Sequence, residues 1–100
     1  MDYINLAPHT IKLNDGRSFP ASGTIVRVNV AYTPIVDDIA TQVYGDVQDI
    51  PAPKDGVRYI VSALVLARTT RKDVVAPATG HPDTQRNDKG HIVSVPCFTQ

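Results

Sequence analysis

Gly56-Val57-Arg58-Tyr59-Ile60-Val61-Ser62-Ala63-Leu64-Val65-Leu66-Ala67-Arg68 is the most apolar run of the chain, and the remaining segments read as small sheet elements set around it. Its first half, Val57 to Val61, is β-branched and aromatic, the composition of a buried strand. Its second half changes character: Ala63, Leu64, Leu66, Ala67 and Arg68 are good helix formers, and the Ser62 hydroxyl can cap the free N–H groups of a first helical turn. The run therefore predicts a strand that leads into a short helix capped by Ser62. A helix start at a strand end presents unpaired N–H donors, which suits an anion. Two plainer readings stand beside it: Ser62 caps a helix that only packs, or it lies within one long strand.

One hundred residues make one domain, 1–100, with a core that needs no staples. Ten basic and ten acidic side chains balance, so no general field draws the chain to nucleic acid or to an anionic membrane, and any anion site must be local. Cys97 is the single cysteine and has no internal disulfide partner. No apolar run approaches the length of a membrane span, and Met1-Asp2-Tyr3 lacks the basic start of a leader, so a cytoplasmic protein is expected.

Eight prolines and six glycines are dispersed along the chain, as turns between many short strands would place them. Tyr3 to Leu6 and Thr10 to Leu13 read as one interrupted edge strand or two short ones, and Asn14-Asp15-Gly16-Arg17 turns the chain back into Ser18-Phe19. Thr24 to Val30 is the clearest half-buried strand, with Val26, Val28 and Val30 on one face and Ile25, Arg27 and Asn29 on the other. For Ile35 to Tyr44 a hairpin around Asp37-Asp38 is preferred to a short helix. Asp46 to Ile50 leads into Pro51-Ala52-Pro53, a connection, and Lys54-Asp55-Gly56 launches the core strand. After the polar loop Thr69 to Asp73, Val74 to Ala76 is a strand stopped by Pro77. Residues 78–83 are a surface loop, and Thr84 to Arg86 pairs with His91 to Val95. The expectation is a β-rich α+β domain, a small sheet or partly open barrel of six to eight short strands with one short helix.

His9, His81 and His91 have no metal-site spacing, and the glycines stand singly, without a phosphate loop. Cys97 between Pro96 and Phe98 reads as a buried, inert thiol. Neither a catalytic group nor a cofactor is expected. The segment from Ser62 to Gly80 is the candidate ligand site. Arg68 and Arg71 would meet phosphate, Ser62 would add a donor, and Asp73 and Thr79 would orient the rest. The plain alternative makes Arg71-Lys72-Asp73 a solvated turn.

Several pieces together resemble a family of small, mostly uncharacterised proteins encoded by bacteriophages and prophages. They are Ile4-Asn5-Leu6-Ala7-Pro8-His9, Pro20-Ala21-Ser22-Gly23-Thr24 with Arg27, Tyr44-Gly45-Asp46-Val47, Tyr59-Ile60-Val61-Ser62 with Leu64-Val65, and Asp73 to Gly80. Family members often carry Thr at the position of Ala7 and an acidic residue at that of Ala78. The resemblance implies a phage accessory protein acting in the host cytoplasm. The favoured role is an anti-defence sponge that binds a small phosphorylated, nucleotide-like immune signal without cleaving it, as a homo-oligomer. A phage inhibitor of a host protein and a minor particle component are the alternatives. A sponge calls for a polar pocket with arginines, and a protein-binding inhibitor for an exposed apolar patch.

Overall fold

A strand that is apolar on both faces must be covered on both, and this decides where Val57–Ile60 lies. The computed structural model describes residues 2–48 and 50–100. Met1, on which the absence of a leader was read, and Asp49, in the approach to Pro51, lie outside them. In chain order the elements are β1 (Asp2–Asn5), β2 (Ile11–Lys12), β3 (Ser18–Phe19), β4 (Arg27–Tyr32), β5 (Gln42–Gln48), β6 (Val57–Ile60), α1 (Ala63–Leu66), β7 (Val74–Pro77), β8 (Gln85–Arg86), β9 (Ile92–Ser94) and β10 (Phe98–Thr99). The domain is β-rich with one short helix, as expected. Six strands are three residues or longer, and β2, β3, β8 and β10 are two-residue pairings.

The main sheet has the order β1-β6-β7-β10. β1 and β7 flank β6 in parallel, and β10 closes the far side antiparallel to β7. Neighbouring parallel strands need a crossover of about a dozen residues, which residues 61–73, with α1 inside them, supply. The other pairs are β2-β3, β4-β5 and β8-β9, and no sheet among the described residues closes on itself. The hairpin at Asn14 to Arg17 forms as read, with Gly16 at φ +97°.

The core follows from the central run. Tyr59, Val61, Val65 and Val74 are buried together with Leu6 and Val26. Tyr3, Phe19 and Phe98 form a second apolar contact, their ring centroids 5.0–5.5 Å apart, which ties the first strand, the first hairpin and the last strand together. Asn5 is buried at 2% exposure. Its amide donates to the carbonyls of His9 (2.7 Å) and Phe19 (2.9 Å) and accepts from the Ala7 N–H (2.9 Å), so the break at Ala7-Pro8-His9 is built around this side chain.

Two expectations are corrected. Residues 24–26 are not strand: Val26 donates its N–H to the Leu6 carbonyl (3.1 Å), and β4 begins at Arg27. Along the face that was read as buried, Val26 is 5% exposed and Val30 already 44%, because the β4-β5 ribbon leaves the body as an arm. Cys97 is exposed rather than buried. Strand alternation explains it: Phe98 takes the inward position against Tyr3 and Phe19, which turns its neighbour out.

The arm turns at Asp37-Asp38, as read. Both have positive φ (52° and 67°), as a type I′ turn requires, and Val36 and Ile39 exchange backbone hydrogen bonds of 2.9 and 3.0 Å around them. Ile35, Val36 and Ile39 at the tip are 66–76% exposed. With this arm the radius of gyration is 15.5 Å, against about 13 Å for a compact chain of this length.

Candidate functional site

The geometry of the candidate site starts in the arm's base. Val28 pairs with Val47 and Val30 with Tyr44, so Asn29 alone faces the two residues Gly45 and Asp46. The extra residue is a β-bulge in β5. Directly paired residues share a face, so the bulge brings Tyr44 and Val47, three apart in sequence, to the same side. Glycine suits the crowded point, where a Cβ on Gly45 would stand 3.3 Å from the Asn29 Cβ. The consequence is that Tyr44 meets the end of α1: the Arg68 guanidinium lies 4.8 Å from its ring centroid.

Tyr44, Gly45, Ala67, Arg68, Thr69 and Thr70 line an open cleft of about 430 Å³ between arm and helix end. The ion pairs among the described residues are Arg17–Asp15, Arg71–Asp73 and His81–Asp83, and Arg68 is in none of them. The cleft thus joins a cation, an aromatic face and two hydroxyl side chains.

The structure distributes the predicted site residues widely. Ser62 caps α1, its Oγ accepting from the Val65 N–H at 3.3 Å. It faces a mainly apolar hollow of about 330 Å³ with Ala7, Pro8, Ile25, Arg27 and Leu64. Thr79 is exposed and borders a groove beside β9. Arg68 alone belongs to the cleft.

Arg71 and Asp73 are brought together, and with each other. Arg71 Nε donates to one Asp73 oxygen (3.0 Å), and one Nη donates both to the other oxygen (2.6 Å) and to the Pro51 carbonyl (2.9 Å). Its guanidinium also lies 5.8 Å from the Tyr59 ring centroid, while the Tyr59 hydroxyl donates to the Ala52 carbonyl at 3.0 Å. The hydrogen bond from Arg71 holds the Asp73 carboxyl below the usual carboxylate range, with burial opposing, and Asp73 raises Arg71 in turn. This pair staples the Pro51-Ala52-Pro53 connection to the start of β7 and fixes the loop that carries Thr69 and Thr70. Arg71 therefore stands paired and partly buried rather than free in solvent.

Tyr44, Thr69 and Thr70 were not read as site residues. The signal for Tyr44 was the isolated Gly45 inside a strand pattern, which marks a bulge and a re-aimed side chain. No signal marked the two threonines, whose role depends on where the helix ends. Among the described residues no three His, Cys, Asp or Glu side chains are grouped as metal ligands, and no helix is long and apolar enough to cross a membrane. Comparison with family models, with curated proteins and with solved structures gave no match for this chain.

Proposed function

We propose that this protein is a non-catalytic phage accessory protein of the host cytoplasm that binds and sequesters a small phosphorylated, nucleotide-like immune signal. The Tyr44–Arg68 cleft carries the reading. An exposed cation–aromatic contact is worth only about 0.5–1 kcal/mol. A charge-assisted hydrogen bond to phosphate is worth about 1.5–3 kcal/mol. Arg68 is therefore readily recruited from the ring to a phosphate, which frees the Tyr44 face for a base. Thr69 and Thr70 supply hydroxyls for the ligand's polar edge. Arg71 and Asp73 act through the loop they fasten, and Ser62 acts through the helix it caps. Thr79 borders a different hollow and takes no part in the cleft of one chain.

Calorimetry against a panel of linear and cyclic nucleotides tests the proposal. Heat is expected with at least one ligand, which is then recovered chemically intact. Arg68→Ala should weaken it by about 1.5–3 kcal/mol and Tyr44→Ala by about 1–3 kcal/mol, the range of a lost base stack. Absence of heat across the panel rejects the reading. One observation favours the second reading, a protein that inhibits a host protein by direct contact: the arm exposes Tyr32, Ile35, Val36 and Ile39, an apolar surface of the kind such contacts use.

A further inference from the structure

The β4-β5 arm is built as an element that needs a cover. A two-stranded ribbon is marginal in water unless a third strand or another apolar surface supports it. From Val28 to Val36 the chain extends roughly 25 Å at strand rise, and the support from Val26 in the core is lost along that path. At the tip, three branched aliphatic side chains, Ile35, Val36 and Ile39, surround two carboxylates, Asp37 and Asp38. No basic residue lies between Val28 and Gln48. An anionic bilayer is excluded as the cover, because the two carboxylates would lead the insertion.

Between β2, the end of β7 and β9 lies a groove of about 300 Å³ whose charged lining is basic where the tip is acidic. Ile11, Ile92, Val93 and Val95 give it an apolar floor and lip, and Lys12 and His9 stand at its edge. Ile92 and Val93 are 43% and 50% exposed. Among the described residues no acidic side chain lines the groove, and Lys12 is in none of the ion pairs. Tip and groove are complementary in two independent respects, apolar against apolar and acidic against basic.

We propose that the arm's occupant is a second copy of this chain: the Ile35–Ile39 tip seats in the partner's groove, with Asp37 and Asp38 facing Lys12 and His9 at its edge. Exchanged reciprocally about a two-fold axis, the contacts close into a discrete dimer. The assembly covers the arm and the Ile92–Val95 surface in one step.

Sedimentation velocity of the whole protein from roughly 1 to roughly 100 μM spans the range in which a micromolar dissociation constant is read. A dimer is expected, and Ile39→Ser should leave it monomeric with an unchanged circular dichroism spectrum. Charge coupling supplies the specific test. Lys12→Glu should weaken the dimer about tenfold or more, because it sets a third carboxylate against the tip. In the background Asp37→Asn, Asp38→Asn, where asparagine keeps the positive φ accessible, the same Lys12→Glu should change the dissociation constant by less than about threefold. A parent protein that sediments as a monomer throughout overturns the proposal, even if the arm captures another protein. So does a dimer that survives Ile39→Ser, or a Lys12→Glu effect of equal size in both backgrounds.

Discussion

The β6-α1-β7 unit and the β4-β5 arm are made from similar residues and end in opposite situations. Both are rich in valine and isoleucine. In the body, Tyr59, Ile60, Val61 and Val74 are essentially without solvent contact, whereas in the arm Val30, Tyr32, Ile35, Val36, Ile39 and Val43 are 44–76% exposed. Composition does not separate the two regions; neighbours do. β6 lies between two parallel strands and shares its core cluster with Val65 of α1, while among the described residues β5 pairs with β4 alone. The body is thus the main source of this chain's own stability, and the arm beyond its base, where Val28 and Val47 pack against the core, is a surface without a cover.

The sharpest way to break that contrast is to remove the largest buried side chain of the body. Tyr59→Ala should cost about 3–5 kcal/mol by urea unfolding, because it leaves a cavity and releases the Ala52 carbonyl. If Tyr59→Ala cost less than about 1 kcal/mol, the centre of the fold would lie elsewhere.

A second effect of intermediate size belongs to the staple. Arg71→Ala should destabilise by about 1–2 kcal/mol at neutral pH, since the pair is only partly screened and also holds the Pro51 carbonyl. Its pH dependence has a definite sign. The folded Asp73 carboxyl titrates below its unfolded counterpart. The pair's stabilisation is therefore complete above about pH 4, the ordinary carboxylate value, and is lost as pH falls through the lower folded value. The difference between parent and Arg71→Ala should shrink with acid over that window. Asp15, lowered by the Arg17 N–H at the first hairpin, contributes to both proteins alike and cancels in the difference. A difference that grew with acidification would show that Arg71 acts without Asp73.

Smaller effects fall at the boundary between the regions. Gly45→Ala should cost about 0.5–1 kcal/mol, as its methyl crowds Asn29, and should turn Tyr44 away from Arg68. Loss of ring-current shifts on the Arg68 side-chain protons would report the second effect, and their persistence would show that the bulge does not aim Tyr44. Smallest of all, Ile39→Ser at the tip should change the monomer's folding free energy by less than about 0.5 kcal/mol. A larger cost in the isolated monomer would mean the arm is part of the core.

Much of the body was legible because its signals are local. Val57 to Val61 is β-branched on both faces, Ser62 precedes helix formers, and Asp37-Asp38 and Asn14 to Arg17 carry turn chemistry that acts within a few residues. Strand pattern misled at Thr24 to Val30, where alternation states which residues share a face but not whether anything lies opposite. It misled again at Cys97, where two alternating apolar neighbours competed for one inward position and Phe98 prevailed. The candidate site was half legible: Arg68 was named, but its partner Tyr44 depends on a bulge that only the pairing of β4 with β5 defines.

The amino-acid sequence by itself determined the β-rich character, the central strand, the helix cap and the turns, because propensity, periodicity and capping act between residues close along the chain. Tertiary structure alone decided that Arg71 spends its hydrogen bonds on Asp73 and Pro51, that Asn5 organises the first loop, and that one apolar ribbon is buried at its base and bare at its tip. Each of these depends on which distant segment arrives opposite a given side chain, and burial and hydrogen bonding are properties of that arrival rather than of the residue.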